Sequence, residues 1–286
     1  METIMMATDF SERSDRALRR ATLLAKQHKA EITLIHVVDD DKPAYIVDSE
    51  KRQAEDLLRK LTRTTYDEDG ITCDARVIVS APFAGIVQGV ADVSPDLLII
   101  GPHRRQLLKD AFVGTTAERA IRSVDCPVLM VNAPPVARYG HILETTDLSE
   151  VSAAAIRRFS SLGIGRTARH SLLYVYDVPA LGLVRLDTPS KEERAYFERE
   201  ERDEAAQKMR EFLGTIDDTI AETFLRHQVS SVEREILDAA NEHKADLIVI
   251  SPHGRGGLEK LFLGSVAQQI LSQSPIDVLI VPPQHG

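Results

Sequence analysis

The chain is written twice. "ATDFSERSDRALRRA" from Ala7 aligns with "TTDLSEVSAAAIRRF" from Thr145, setting Asp9 on Asp147, Ser11 on Ser149 and Arg19-Arg20 on Arg157-Arg158 at an offset of 138. "LIHVVDD" aligns with "LLYVYDV" at the same offset and sets Val37 on Val175. Further on, "DLLIIGPH" aligns with "DLIVISPH" and "VGTTAERAI" with "LGSVAQQIL", now 150 residues apart. The 12 extra residues of the second copy fall after Asp177, within "ALGLVRLDTPSKEERAYFEREERDEAAQKMREFLG". A repeat of this length binds both halves to one fold. "NAPPVARYG" at 132–140 has two prolines that cannot donate backbone hydrogen bonds, and it reads as the connection. Domains of 1–137 and 138–286 follow.

Each copy alternates strand and helix. Residues 2–8 read as a strand, 12–28 as a helix with Ser11 at its N-cap, "EITLIHVV" as a strand and 48–66 as a charged helix. "CDARVIV" is a third strand, "PFAGIVQGVADV" a helix opened by Pro82, and "DLLIIG" a fourth strand. A helix over about 114–123 and the strand "PVLMVN" close the unit. The strands are mostly aliphatic runs, as a sheet covered on both faces requires. The expected fold is α/β: two doubly wound, Rossmann-like parallel sheets in tandem.

Composition narrows the function classes. A net charge of −9 and the lack of tryptophan argue against a nucleic-acid partner. Aliphatic runs such as "LLII" are far too short to span a bilayer, so no membrane partner is expected. "METIMMATDF" has neither a basic flank nor a cleavage-like site, and Cys73 and Cys126 are too few for a disulfide framework; a cytoplasmic location is the expectation.

In such a sheet, ligands sit beyond the carboxyl ends of the strands, where strand order reverses. Asp9 and Asp147, Val37 and Val175, and the segments "GPHRRQLLKDAFVGT" and "SPHGRGGLEKLFLGS" all fall there. Glycines in a strand-to-helix connection allow successive N–H groups to face an anion, and the helix start adds free N–H groups. Ser265, following Gly264, brings a hydroxyl donor. Leu258, Leu261 and Phe262 would hold the loop down. A permissive turn with an N-cap serine remains the alternative reading of these glycines.

With these motifs in order along nearly all 286 residues, the chain resembles a tandem universal stress protein. That family's nucleotide signature is glycine, two residues, glycine, nine residues, glycine, then serine or threonine. The second copy keeps Gly254, Gly264 and Ser265 but has Ser251 at the first glycine; the first keeps Gly101, Gly114 and Thr115 but has Arg104 at the second. The resemblance implies ATP as ligand, with magnesium carried on its phosphates. Asp9 and Asp147 with Thr8 and Thr146 before them, and Val37 or Val175, would handle the adenine and ribose end. The glycine loops, with Val266 after Ser265 and His253 beside the second loop, would hold the phosphates. Arg104 reads as an obstruction where backbone would approach phosphate, with a grip on phosphate in another geometry as the alternative, so the C-terminal half is expected to bind better. Packing of the halves through their last strands is also implied, and a homodimer and an unidentified protein partner join the expected partners.

His103 and His253 read as turn residues or as phosphate contacts, and Cys126 as a small buried residue. "SKEERAYFEREERDEAAQKMREF" reads as a mostly exposed helix. No metal-ligand spacing occurs and no residue is evidently placed to activate water, so the chain is expected not to be an enzyme beyond weak ATPase activity. The competing class is a nucleotide-independent scaffold with degenerate pockets.

Overall fold

The computed structural model describes residues 1–102, 116–178, 191–216, 220–252 and 263–283. The first half runs β1 (Thr3–Ala7), α1 (Glu12–His28), β2 (Glu31–Val38), α2 (Ala44–Asp69), β3 (Cys73–Val79), α3 (Pro82–Val93), β4 (Leu97–Ile100), α4 (Thr116–Ser123) and β5 (Val128–Met130). The second half runs β6 (His141–Thr146), α5 (Glu150–Leu162), β7 (Arg169–Tyr176), α6 (Lys191–Leu213), β8 (Glu222–His227), α7 (Val232–Glu242), β9 (Leu247–Ile250), α8 (Ser265–Gln273) and β10 (Asp277–Ile280). Helix α2 extends beyond the expected 48–66 because its stop and start lie farther out: Pro43 precedes it, and Gly70 ends it at φ 69°. Pro82 opens α3, where its missing N–H is no loss.

All described strands form one sheet in the order β3-β2-β1-β4-β5-β10-β9-β6-β7-β8. Every pairing is parallel except that of β5 with β10, centred on Leu129 opposite Leu279, which joins the halves. In each half the order reverses between the first strand and the fourth, opening a crevice at their carboxyl ends. Strands β4, β9 and β10 are buried along their length, whereas the edge strand β3 alternates between half-buried and exposed positions over most of its length.

Both faces of the sheet carry cores that run across the junction. One unites Ile4, Leu34 and Leu97 with Phe159 and Leu247; the other unites Leu98 and Ile121 with Ile248 and Ile270. A buried polar knot secures the seam. Arg20 donates from Nε to Asp277 Oδ2 at 3.0 Å and from Nη1 to the Ala137 carbonyl, and its guanidinium lies 4.0 Å over the Tyr139 ring. Tyr139 donates to the same Asp277 oxygen, while Asn132 and Ala133 N–H groups donate to the other.

One expectation changes in detail and another gains one. Val37 stands opposite Ile78 and Val175 opposite Arg226, so the offset is already 148 at β8; the last two extra residues lengthen the loop that is 80–81 in the first half and 228–231 in the second. The charged helix α6 is mostly exposed, as expected, and turns one narrow face inward. Ala205, Met209 and Phe212 are buried against Leu172, Tyr174 and Tyr176 of β7, so it roofs that end of the sheet.

Candidate functional site

The turn after the first strand is built on the same plan twice. Thr8 Oγ1 accepts from Phe10 N–H at 3.0 Å, and Thr146 Oγ1 accepts from Leu148 N–H at 2.9 Å. Phe10 (φ 58°) and Leu148 (φ 63°) both sit in the left-handed region, a conformation that costs a non-glycine residue about 1–2 kcal/mol. Asp9 Oδ1 accepts from Ser11 N–H and Oγ and from Ser14 Oγ; Asp147 Oδ1 accepts from Ser149 N–H and Oγ. Ser149 also caps α5 by accepting from Ser152 N–H, whereas Ser11 has the extended capping backbone without a side-chain cap bond. Burial would raise the Asp9 pKa, but the bonds from Ser11 and Ser14 and the charge of Arg13 bring it below the ordinary value. The strained turn thus presents a carboxylate group at the crevice of each half.

A cavity of about 220 Å³ stands at the carboxyl ends of β1, β2 and β4, lined by Thr8, Asp9, Arg13, Val37, Gly101 and the start of α4 at Thr116 and Ala117, among others. Its floor depends on close approach. A Cβ at Gly85 would come within 2.5 Å of Val37 Cγ1, and one at Gly89 within 2.4 Å of Ile35 Cδ1, so these two glycines let α3 lie directly on β2. A Cβ at Gly101 would stand 3.0 Å from the Arg13 carbonyl. Gly101 therefore admits the first turn of α1, and its φ is outside the left-handed region. Ile35 O accepts from Thr8 N–H. Strand alternation then turns the Val37 N–H and C=O to the same side, beyond the end of β1. His36 donates from Nδ1 to the Thr8 carbonyl at 2.9 Å and stacks on Phe10; burial pushes it below its ordinary pKa and keeps it neutral.

The second half differs at the same place. Glu235 occupies the position of Gly85 and Arg226 that of Ile78. Arg226 Nε donates to Glu235 at 2.6 Å, and its Nη groups donate to both Glu242 oxygens. Glu235 also accepts from Ser230 N–H and Oγ, pinning the longer loop after β8. Burial would raise the Glu235 pKa, but these bonds hold it at about 2. Val175 lies in register with Arg226 and packs against the core. Gly264 (φ −59°) caps α8, donating to the Pro252 carbonyl; Ser265 begins that helix, exposed, and Val266 is half-buried. Ser251, in the place of Gly101, is not in the left-handed region, so its side chain costs no backbone strain there.

His103, Arg104, Gly114, Thr115, His253 and Gly254 lie outside the described residues, as do Leu258, Leu261 and Phe262. Both cysteines are free, and burial raises each thiol to about 11, so neither is a ready nucleophile. Among the described residues no cluster of three or more His, Cys, Asp or Glu could hold a metal, and no helix is long and apolar enough to cross a membrane.

Three residues that shape these corners escaped sequence reasoning: Arg13, Gly85 and Glu235. The signal was present in the repeat itself, which sets Arg13 on Val151 and Gly85 on Glu235. Gly85 and Gly89, four apart inside a helix, also mark a close packing face.

The model of the universal stress protein family matches the chain twice, over residues 1–132 and 138–282. A universal stress protein of Mycolicibacterium smegmatis is 23% identical over 298 residues, covering 98% of this chain and 97% of its own. One from Methanocaldococcus jannaschii is 29% identical over 140 residues, covering 46% of this chain and 82% of its own. The crystal structure of a universal stress protein from Archaeoglobus fulgidus superposes with a TM-score of 0.67 at 17% identity, covering 99% of this chain and 98% of that one, a likeness of fold.

Proposed function

Because the chain belongs to the universal stress protein family, we propose that it is a stress-response regulator that binds an adenine nucleotide, ATP with magnesium on its phosphates, and acts by occupancy with little or no turnover. The observation that carries this reading is the N-terminal cavity of about 220 Å³, where Asp9, the open backbone of Val37 and the start of α4 converge. Ligand pockets are concave, mostly apolar and supplied with a few placed polar groups, and this cavity has that make-up. In this reading the Val37 N–H and C=O meet the adenine edge, Asp9 accepts from a ribose hydroxyl, and Gly101, Gly114 and Thr115 lie toward the phosphates. The first-half and second-half units, 1–137 and 138–286, then each carry one corner. Two free cysteines suit a reducing, cytoplasmic setting.

A second reading places the stronger site in the C-terminal half. The spacing of Gly254, Gly264 and Ser265 supports it, and in it Thr146, Asp147, Val175, Ser251, His253 and Val266 complete the pocket. Heat release and mass spectrometry of nucleotide from freshly purified protein tests the common premise. Co-purified ATP, or a thermal shift on adding millimolar Mg-ATP, is the expected result; neither would leave a nucleotide-independent scaffold.

A further inference from the structure

Among the described residues lining the N-terminal cavity, Arg13 is the one whose counterpart in the second half differs in formal charge: Val151 stands in its place. The position is fixed by the backbone, since the carbonyl of Arg13 is the group that backs onto Gly101. Its side chain is about one-third exposed, and its only ionic partner among the described residues is Asp9, at 3.6 Å. No hydrogen bond occupies its guanidinium among the described residues, unlike Arg226, which is engaged by both Glu235 and Glu242. The same cavity is lined by Thr116 and Ala117, whose N–H groups at the start of α4 have no partner within that helix.

A cation with unused donors and a helix start facing one cavity form a receptor for an anion. Guanidinium suits phosphate in particular, because its fork of N–H groups matches the phosphate oxygens in pairs. Asp9, already holding three donors on one oxygen, turns its other oxygen to that guanidinium at 3.6 Å, so a phosphate would meet Arg13 on the side away from Asp9. Resting on the nucleotide reading above, we propose that Arg13 is the specificity residue by which the N-terminal corner selects phosphorylated over unphosphorylated adenosine, a selection the C-terminal corner lacks at this position because Val151 offers no charge.

Hydrogen exchange on the full chain separates the corners, using ATP and adenosine as probes and following residues 7–16 and 145–154. For residues 7–16 of the native chain, half-protection should come at an ATP concentration about tenfold or more below that for adenosine, the scale of one charged hydrogen bond. Arg13→Val should raise the ATP value by about tenfold, leave the adenosine value in place and bring the two together; Arg13→Lys should restore part of the gap, and added salt should narrow it. An unchanged ratio in Arg13→Val, or an equal loss for both probes, overturns the inference, as does ATP protection confined to 145–154. Absence of protection by either probe in both corners instead removes the nucleotide reading itself.

Discussion

The two strand-end corners share strand order, an aspartate turn and a left-handed residue after the aspartate, yet they differ in what lies beneath the crevice. In the first, Gly85 and Gly89 bring α3 onto Val37 and Ile35, and Arg13 lines the cavity with no hydrogen bond on its guanidinium among the described residues. In the second, a glutamate at the Gly85 position holds Arg226, and the β8–α7 loop is tied to it. The sheet and its crossovers dictate the shared part: pairing and burial leave little freedom at β1, β4, β6 or β9. The crevice floor is set by single side chains facing it, and there one repeat is open with Arg13 beside Asp9 while the other is braced by an internal ion network.

The comparison can be broken or sharpened by substitution. The largest effect is expected at the seam that both corners share. Asp277→Ala leaves Arg20 buried without its counter-charge and strips acceptors from Asn132, Ala133 and Tyr139, and should cost about 3–5 kcal/mol in urea unfolding. Writing the second corner into the first by Gly85→Glu drives a side chain into Val37 and should cost about 2–3 kcal/mol; a neutral outcome would mean α3 moves freely and the close approach is not what shapes the cavity.

The opposite corner is sharpened by pH. Glu235 is held at about 2 against an ordinary 4.5, so its contribution is complete above about pH 5 and is lost as pH falls through the folded value. Glu235→Gln should lower stability at neutral pH by about 1 kcal/mol, and the gap between variant and native chain should close between pH 5 and pH 2 in denaturant titrations. Arg13→Val, which breaks no hydrogen bond among the described residues, should leave stability within about 0.5 kcal/mol, so any loss of ATP binding is separable from folding.

Much of this architecture is legible in the sequence because it depends on punctuation and periodicity. Ser11 and the apolar spacing mark α1, Pro82 marks the start of α3, and the aliphatic runs at 97–100 and 247–250 mark strands buried on both faces. The aspartates are legible because the repeat sets one on the other. What depends on distant pairs is not. Nothing local in "ARVIV" or "TFLRHQ" says that Ile78 meets a glycine-lined helix while Arg226 meets Glu235 and Glu242. Nor does local pattern reveal that Arg20 reaches Asp277, a residue in the other half. Helix α6 is legible as a mostly exposed helix from its charges, whereas the face that Ala205, Met209 and Phe212 turn to β7 is too narrow to read.

A crystal structure of the full chain grown with Mg-ATP tests the central claim most directly. The account predicts nucleotide in the N-terminal corner, its ribose at Asp9, its adenine edge on the Val37 backbone and a phosphate within reach of Arg13. Nucleotide bound at Asp147 and Ser265 alone, or a first corner left empty at saturating ATP, would contradict it.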